Sequence, residues 1–460
     1  MKGPRRHLFL DLLESQIVGL KQTLNPPRKH PRNPVMTTDA PWEKEFYTRV
    51  TPYGTVLKEA GVFRFWYQIY YFPVPFANEK QIIVQGYATS RDGFTWEKPI
   101  LGLNTFLGSK QNNVVAGTDG AYRWCHGASV ICDPHERDPA KRYKMLATVD
   151  FIATSPDGIH WNRIPDGESN WSQGFDQDTH HVFFWDERIR RYRVYTRPEC
   201  GVRKIAMATS KDFLHWEWHE PRVVLEATAE EKEGGNGFDG HKLQGYYNMT
   251  VIPYEGLYLG FPVHLYDDHT TDIGFLWSRD GAQWERPAFG RVYLPRGSEG
   301  WYDSGSVYPT SGFVDVGRGN PPGDEFWLYY GGFTHRHDLK NIEPGKTDSY
   351  IGIAVIRRDG FISLDAGDEG GCVTTKPLVV TGDRLCVNAQ AAGGHVVAEL
   401  LDSGGAAIHG LAASSCTPAR GDEVRQPLSW RSGSLAALKG KTVRIRFHLR
   451  NCKLYSFWIQ

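Results

Sequence analysis

The chain has 460 residues, and its 53 Lys+Arg are matched by 53 Asp+Glu for a formal net charge of +0. It therefore lacks the one-sided field of a nucleic-acid binder, and no nucleic-acid partner is expected. At about three times the ~150 residues of a typical domain, it is predicted to form two or more packed units. No apolar run approaches the ~18 residues of a membrane span, and Asp11 and Glu14 interrupt any signal-like apolar core at the start. A soluble chain with no membrane contact and no visible export signal is expected, cytoplasmic or exported. The seven cysteines contain no CxxC pair and read as buried free thiols rather than a zinc site.

Aromatic residues make up 13% of the chain, and 49 Gly and 27 Pro punctuate it, which is a β composition. Residues 1–44, with Pro26, Pro27, Pro31 and Pro34, read as an extended strap. Next comes a repeat. The pattern Ser-x-Asp-Gly-x-x-Trp occurs at Ser90/Asp92/Gly93/Trp96, Ser155/Asp157/Gly158/Trp161 and Ser278/Asp280/Gly281/Trp284. A copy without glycine lies at Ser210/Asp212/Trp216, and a degraded one at Asp359/Gly360. Asp bonds back onto its own turn, Gly takes a positive φ, and Trp wedges the next strand, so each copy is a hairpin staple.

A strand pair precedes each copy, and the spacing of roughly 55–80 residues is that of a propeller blade. Residues 45–364 are accordingly predicted to form a five-bladed β-propeller. From Asp365 the composition shifts to Ala, Gly, Val and Leu with period-two alternation, which predicts a β-sandwich over 365–460. The expected fold class is all-β.

A five-bladed propeller followed by a sandwich, with the tail GKTVRIRFHLRNCKLYSFW, resembles glycoside hydrolase family 32 and is similar to family 43. The resemblance implies an oligo- or polysaccharide substrate. Family 32 carries the motifs Asn-Asp-Pro-Asn-Gly, Arg-Asp-Pro and Glu-Cys. Literal matches to two of them occur at Arg137-Asp138-Pro139 and Glu199-Cys200. Asp138 is nevertheless expected on an outer hairpin turn, because Asp-Pro signals a turn between two strands. Glu199 falls at the end of a second strand, not the start of an innermost one. Matching Val50-Thr51-Pro52-Tyr53-Gly54 to the first motif puts Thr51 at the nucleophile position. In the third blade Asp178 takes the place of the transition-state-stabilising carboxylate, and in the fourth Tyr246 and Tyr247 replace the glutamate segment. The acidic motifs are out of register.

Propeller ligands bind where the innermost strands start, around the mouth of the central channel. That ring is predicted to hold Glu43, Tyr53, Trp124, His126, Asp178, His180, His181, Tyr247 and Asp303, with Arg197 and His335 from second-strand ends. A hydrolase needs two carboxyl groups across the scissile bond, ~5–5.5 Å apart for retention or ~6.5–9.5 Å for inversion. Asp178 and Asp303 are the best pair, with Glu43 as a third candidate and His126 beside them. Arg197, His180, His181, Tyr247, Trp124, Tyr53 and His335 would bind sugar. The alternative is a polysaccharide lyase, in which Arg197 neutralises a uronate while His126, His181 or Tyr247 moves protons. A non-catalytic glycan-binding propeller is a third reading. The stretches Thr334–Asp338 and His264–His269 are dense in metal-ligand types but read as solvated loops, so no metal site is assigned. No phosphate loop or dinucleotide fingerprint is present, and no cofactor is expected.

Overall fold

The computed structural model describes residues 5–10, 16–44, 48–72, 81–118, 125–148, 151–171, 178–199, 201–235, 237–238, 240–287, 292–317, 324–338 and 348–460. They divide into two compact units. One comprises 1–26, 317–325 and 356–460, and the other 27–316 and 326–355.

The larger unit is built of antiparallel sheets. Thr48–Glu59, Val62–Tyr71, Ile82–Ser90 and Val114–Ala116 form the first, and Ser129–Cys132, Tyr143–Leu146, Ile152–Ser155 and Asn162–Arg163 the second. Asp178–Asp186, Arg191–Arg197, Ile205–Ser210 and Trp216–Leu225 form the third. The fourth contains Leu243–Tyr254, Leu257–Tyr266, Thr271–Gly274, Leu276–Ser278 and Val292–Leu294. In the fifth, Ser306–Pro309, Glu325–Phe333 and Ser349–Arg357 are edged by Arg28–Lys29 and Met36–Thr37. Second strands such as Val62–Tyr71 (VFRFWYQIYY) are apolar on both faces because neighbouring sheets pack against both.

Consecutive sheets are tied in a closed cycle. Val130 N–H donates to Thr55 Oγ1 at 2.9 Å, and His181 N–H to the Gly127 carbonyl at 3.0 Å. Tyr246 N–H donates to the Arg203 carbonyl at 3.1 Å, Thr250 Oγ1–H to the Thr310 carbonyl at 2.8 Å, and Ser311 N–H to the Gly54 carbonyl at 3.0 Å, which joins the fifth sheet to the first. This is a β-propeller arrangement.

The Ser-Asp-Gly repeat does more than close a hairpin. In the second sheet Gly158 N–H donates to Ser155 Oγ at 2.8 Å, while Asp157 Oδ1 accepts from the N–H groups of Ile159 and His160, each at 2.8 Å. The glycine carbonyl, turned outward, accepts a bond from the preceding sheet. Trp66 Nε1–H reaches Gly158 at 2.6 Å, Tyr195 Oη–H reaches Gly281 at 2.7 Å, and Tyr329 Oη–H reaches Gly93 at 2.9 Å. The copy lacking glycine keeps the same backbone, with Phe213 at φ 71 beside Gly158 at φ 75 and Gly281 at φ 82. Each of these three staples is therefore also a joint between sheets.

The smaller unit is a β-sandwich. One sheet runs Lys21–Leu24, Ile362–Ala366, Cys452–Ile459, Leu385–Gln390, Asp422–Trp430, Cys416–Thr417, and the other runs Gln16–Val18, Gly371–Thr374, Thr442–Arg450, Leu378–Val379. His395–Leu401 joins the second sheet through Thr442–Arg450. Val373, Leu385, Val387, Leu400, Ile445, Phe447 and Leu454 fill the core.

The N-terminal strap is a correction to the sequence reading. His7–Leu8 pairs with Cys452–Ile459, Gln16–Val18 with Gly371–Thr374, and Lys21–Leu24 with Ile362–Ala366, so these segments are strands of the sandwich sheets. Arg28–Lys29 and Met36–Thr37 pair instead with Ser349–Arg357 of the fifth propeller sheet. The physical reason is that sheet edges present unpaired backbone groups, which two- to four-residue segments satisfy without any readable alternation.

Candidate functional site

The innermost strands of the first, third and fourth sheets share one irregularity. Their pairing with the second strands slips between Thr51 and Thr55, between Asp178 and Val182, and between Tyr246 and Met249. A bulge re-aims the side chains at the slip. The first bulge places Pro52 and Tyr53, and the last Tyr247, on the wall of a cavity of about 340 Å³.

Three arginines line this cavity, Arg49, Arg197 and Arg203, together with His126, His335 and His337 and with Tyr53, Tyr70, Tyr247 and Tyr308. Among the described lining residues Asp178 is the single carboxylate. Asp178 and Arg197 face each other across the ladder between the first two strands of the third sheet and form an ion pair through Arg197 Nη2. Burial pushes the Asp178 carboxyl upward, but the charges of Arg197 and His126 and the Thr179 N–H outweigh it and hold the group well below the ordinary carboxylate range. Asp178 is a fixed anion at neutral pH.

Arg49 is gripped by Asp348, with Nε and Nη2 bonding both carboxylate oxygens at 2.9–3.1 Å. Arg197 and Arg203 both lie against the Tyr247 ring, at 4.5 and 4.9 Å from its centroid. Burial raises the Tyr247 hydroxyl above the ordinary phenol value. His126 Nε2 and the Tyr70 hydroxyl share a short hydrogen bond. His335 Nδ1–H donates to the Arg336 carbonyl at 2.9 Å, and His337 Nδ1 bonds the Tyr308 hydroxyl at 3.1 Å. Burial, aided by Arg49 for the first and Arg197 for the second, pushes both down to about 4, so both are neutral at pH 7.

The cavity thus unites Asp178, His126, Arg197, Tyr247, Tyr53 and His335 of the expected ring. Four other expected members lie elsewhere, and a fifth, Trp124, falls outside the described residues. Asp303 is fully buried in the fifth sheet, where its carboxylate takes Lys29 Nζ at 2.6 Å and the Tyr330 hydroxyl at 3.0 Å. Glu43 is buried too, held by Lys98 Nζ at 2.5 Å and the Tyr67 hydroxyl at 2.6 Å. The paired-carboxylate arrangement of Asp178 with Asp303 or Glu43 is therefore corrected. Both side chains satisfy a lysine inside a sheet packing instead of facing the cavity.

His180 and His181 are corrected likewise, since neither lines the cavity. His181 bridges Thr148 Oγ1 at 2.9 Å and Thr196 Oγ1 at 2.6 Å, and His180 Nε2 meets Ser311 Oγ at 2.8 Å behind Tyr53. Asp138 caps a short turn, accepting from Ala140 N–H at 3.0 Å, and Glu199 is exposed. The sequence reading assigned no role to Arg49, His337, Arg203, Tyr70 or Tyr308, all of which line the cavity. Arg203 lies just outside any motif, and only its proximity to Gly245–Tyr246 of the neighbouring sheet brings it in.

No protein-family model and no curated protein matches the sequence. Among solved structures, the chain is similar to a glycosyl hydrolase from Bacteroides ovatus at 14% identity, over 73% of this chain and 94% of that one, with a TM-score of 0.49. A second similarity, at 14% identity over 73% and 94% with a TM-score of 0.48, is to a structure from work on GH130 glycoside hydrolases that target β-1,2 mannosidic linkages in Candida mannan. A third, at 9% identity over 94% and 96% with a TM-score of 0.42, is to a fructofuranosidase from Schwanniomyces occidentalis complexed with fructosylnystose. These structural neighbours are glycoside hydrolases at low identity.

Proposed function

We propose that this chain is a carbohydrate-active enzyme, with the five sheets acting as the blades of a catalytic propeller and the sandwich unit as support. It cleaves an acidic glycan by β-elimination. One observation carries this reading: the described cavity walls hold three guanidinium groups, three imidazoles and four phenols, against a single carboxylate that is already ion-paired. Hydrolysis by two opposed carboxylates does not fit that wall. Elimination next to a uronate needs a cation at the carboxylate, a base for the C5 proton and an acid for the leaving oxygen, and all three types are present.

In this reading the Tyr70–His126 pair accepts the C5 proton. The electron pair forms the C4–C5 double bond, the C4–O bond breaks, and the leaving oxygen takes a proton from Tyr247. Burial keeps that phenol protonated and ready to donate. The test is a panel of uronate-containing polysaccharides, assayed for ultraviolet absorbance from the new double bond and for reducing ends. Absorbance should rise together with reducing ends, and Tyr247→Phe should lower the rate by ~10²–10⁴, the size of a lost general acid. Reducing ends without absorbance would overturn elimination and point to hydrolysis around Asp178. Binding without either product would make the propeller a glycan-binding module.

A further inference from the structure

Among the described residues, one of the three cavity arginines is left without an ion pair. Arg49 is neutralised by Asp348 and Arg197 by Asp178, while His335 and His337 are uncharged at neutral pH. Arg203 forms no ion pair among the described residues, and its Nη1 is buried without a hydrogen-bond partner. Across the Tyr247 ring, Arg197 is 1% exposed and also leaves Nε and Nη1 without partners among the described residues. A buried guanidinium N–H left unbonded costs ~1–3 kcal/mol or more, and three of them belong to two arginines that line one cavity. Asp178 fixes Arg197 from one side only, which orients the guanidinium and leaves its other donors unused. Tyr247 supports the flat faces of both arginines, a seat suited to the planar, forked guanidinium.

We infer that Arg203 and Arg197 form an anion-recognition site that selects a substrate bearing a carboxylate on the sugar ring. This rests on the reading of the cavity as a glycan site and names the substrate class it accepts, the uronates. Planar carboxylate matches the guanidinium fork through parallel hydrogen bonds, whereas a tetrahedral sulfate ester presents the same charge in a different shape. Neutral hexoses offer hydroxyl acceptors but neither the charge nor the paired oxygens of a carboxylate, so they make the weaker match to the guanidinium fork.

Calorimetric titration of the full chain with glucuronate, galacturonate, glucose 6-sulfate and glucose tests this without requiring turnover. A uronate should bind at least tenfold more tightly than glucose, and binding should weaken with added salt. Arg203→Met, which keeps the stem but removes the charge, should weaken uronate binding tenfold or more with no change for glucose, and Arg203→Lys should recover only part of the loss. A circular dichroism spectrum and urea midpoint matching the parent would show that the variants fold. Preference for the sulfate ester over both uronates would overturn the carboxylate assignment, and equal binding of glucose and uronates would overturn the site altogether. Uronate binding sensitive to Arg203 but without any unsaturated product would support this site while removing the elimination chemistry. An unsaturated product formed equally well by Arg203→Met, with unchanged binding, would do the reverse.

Discussion

Asp178 and Asp303 occupy comparable places at the head of the third and fifth sheets, yet their partners give them opposite roles. Asp178 pairs with an arginine on the cavity wall and stays partly reachable, its side chain 16% exposed. Asp303 is sealed against Lys29 and Tyr330, with Gly297 and Gly332 leaving just enough room around its carboxylate. Asp303→Asn keeps the shape but leaves the lysine without a counter-ion. The expected cost is ~1–3 kcal/mol of stability, seen as a lower urea midpoint, with any activity on glycans unchanged within a few-fold. A thousand-fold loss of activity at unchanged stability would return Asp303 to the reaction.

At the level of elements, the staples show how a local turn becomes a long-range joint. Gly158 has φ 75, and a Cβ there would stand 2.6 Å from the Trp66 ring, whereas Gly61 has φ 83 in a plain hairpin with nothing within 4 Å. Both need the left-handed backbone, but only Gly158 also needs the space. Gly61→Ala should therefore cost ~1–2 kcal/mol, the backbone penalty alone. Gly158→Ala should cost ~2–5 kcal/mol, because overpacking adds ~1–3. Denaturation of the two variants side by side measures the joint as a difference, and equal costs would mean that the sheets are not held together there.

Across the whole molecule, buried neutral histidines set the response to acid. Burial is the main cause that pushes His180 down to about 3, and His335 and His337 to about 4, from an ordinary 6.5. Below pH 6.5 the unfolded chain takes up protons that the folded chain refuses, so stability falls as pH drops toward 4 and stops falling through each group once its folded value is passed. Above pH 6.5 these groups contribute no pH dependence. Urea midpoints recorded from pH 7.5 to pH 4 should be flat at first and then decline, and replacing His335 by Gln should make the decline shallower. A midpoint that rises on acidification would contradict the burial of these rings.

The sequence by itself determined the all-β class and the repeating staples, because those depend on turn chemistry and alternation carried by a few neighbouring residues. It also pointed to Arg197, His126, Asp178 and Tyr247, which line the cavity. Tertiary structure decided which of the polar groups line the cavity and which satisfy one another away from it. Lys29 reaches Asp303 across 274 residues of chain, and Lys98 reaches Glu43 across 55, pairings that no local pattern announces. Register slips at Pro52–Gly54, Thr179–His181 and Tyr247–Asn248 decided which side chains face the cavity. A strand alternates its faces with period two, so one slipped residue turns His181 inward to Thr148 and Thr196, while Tyr53 and Tyr247 line the open space.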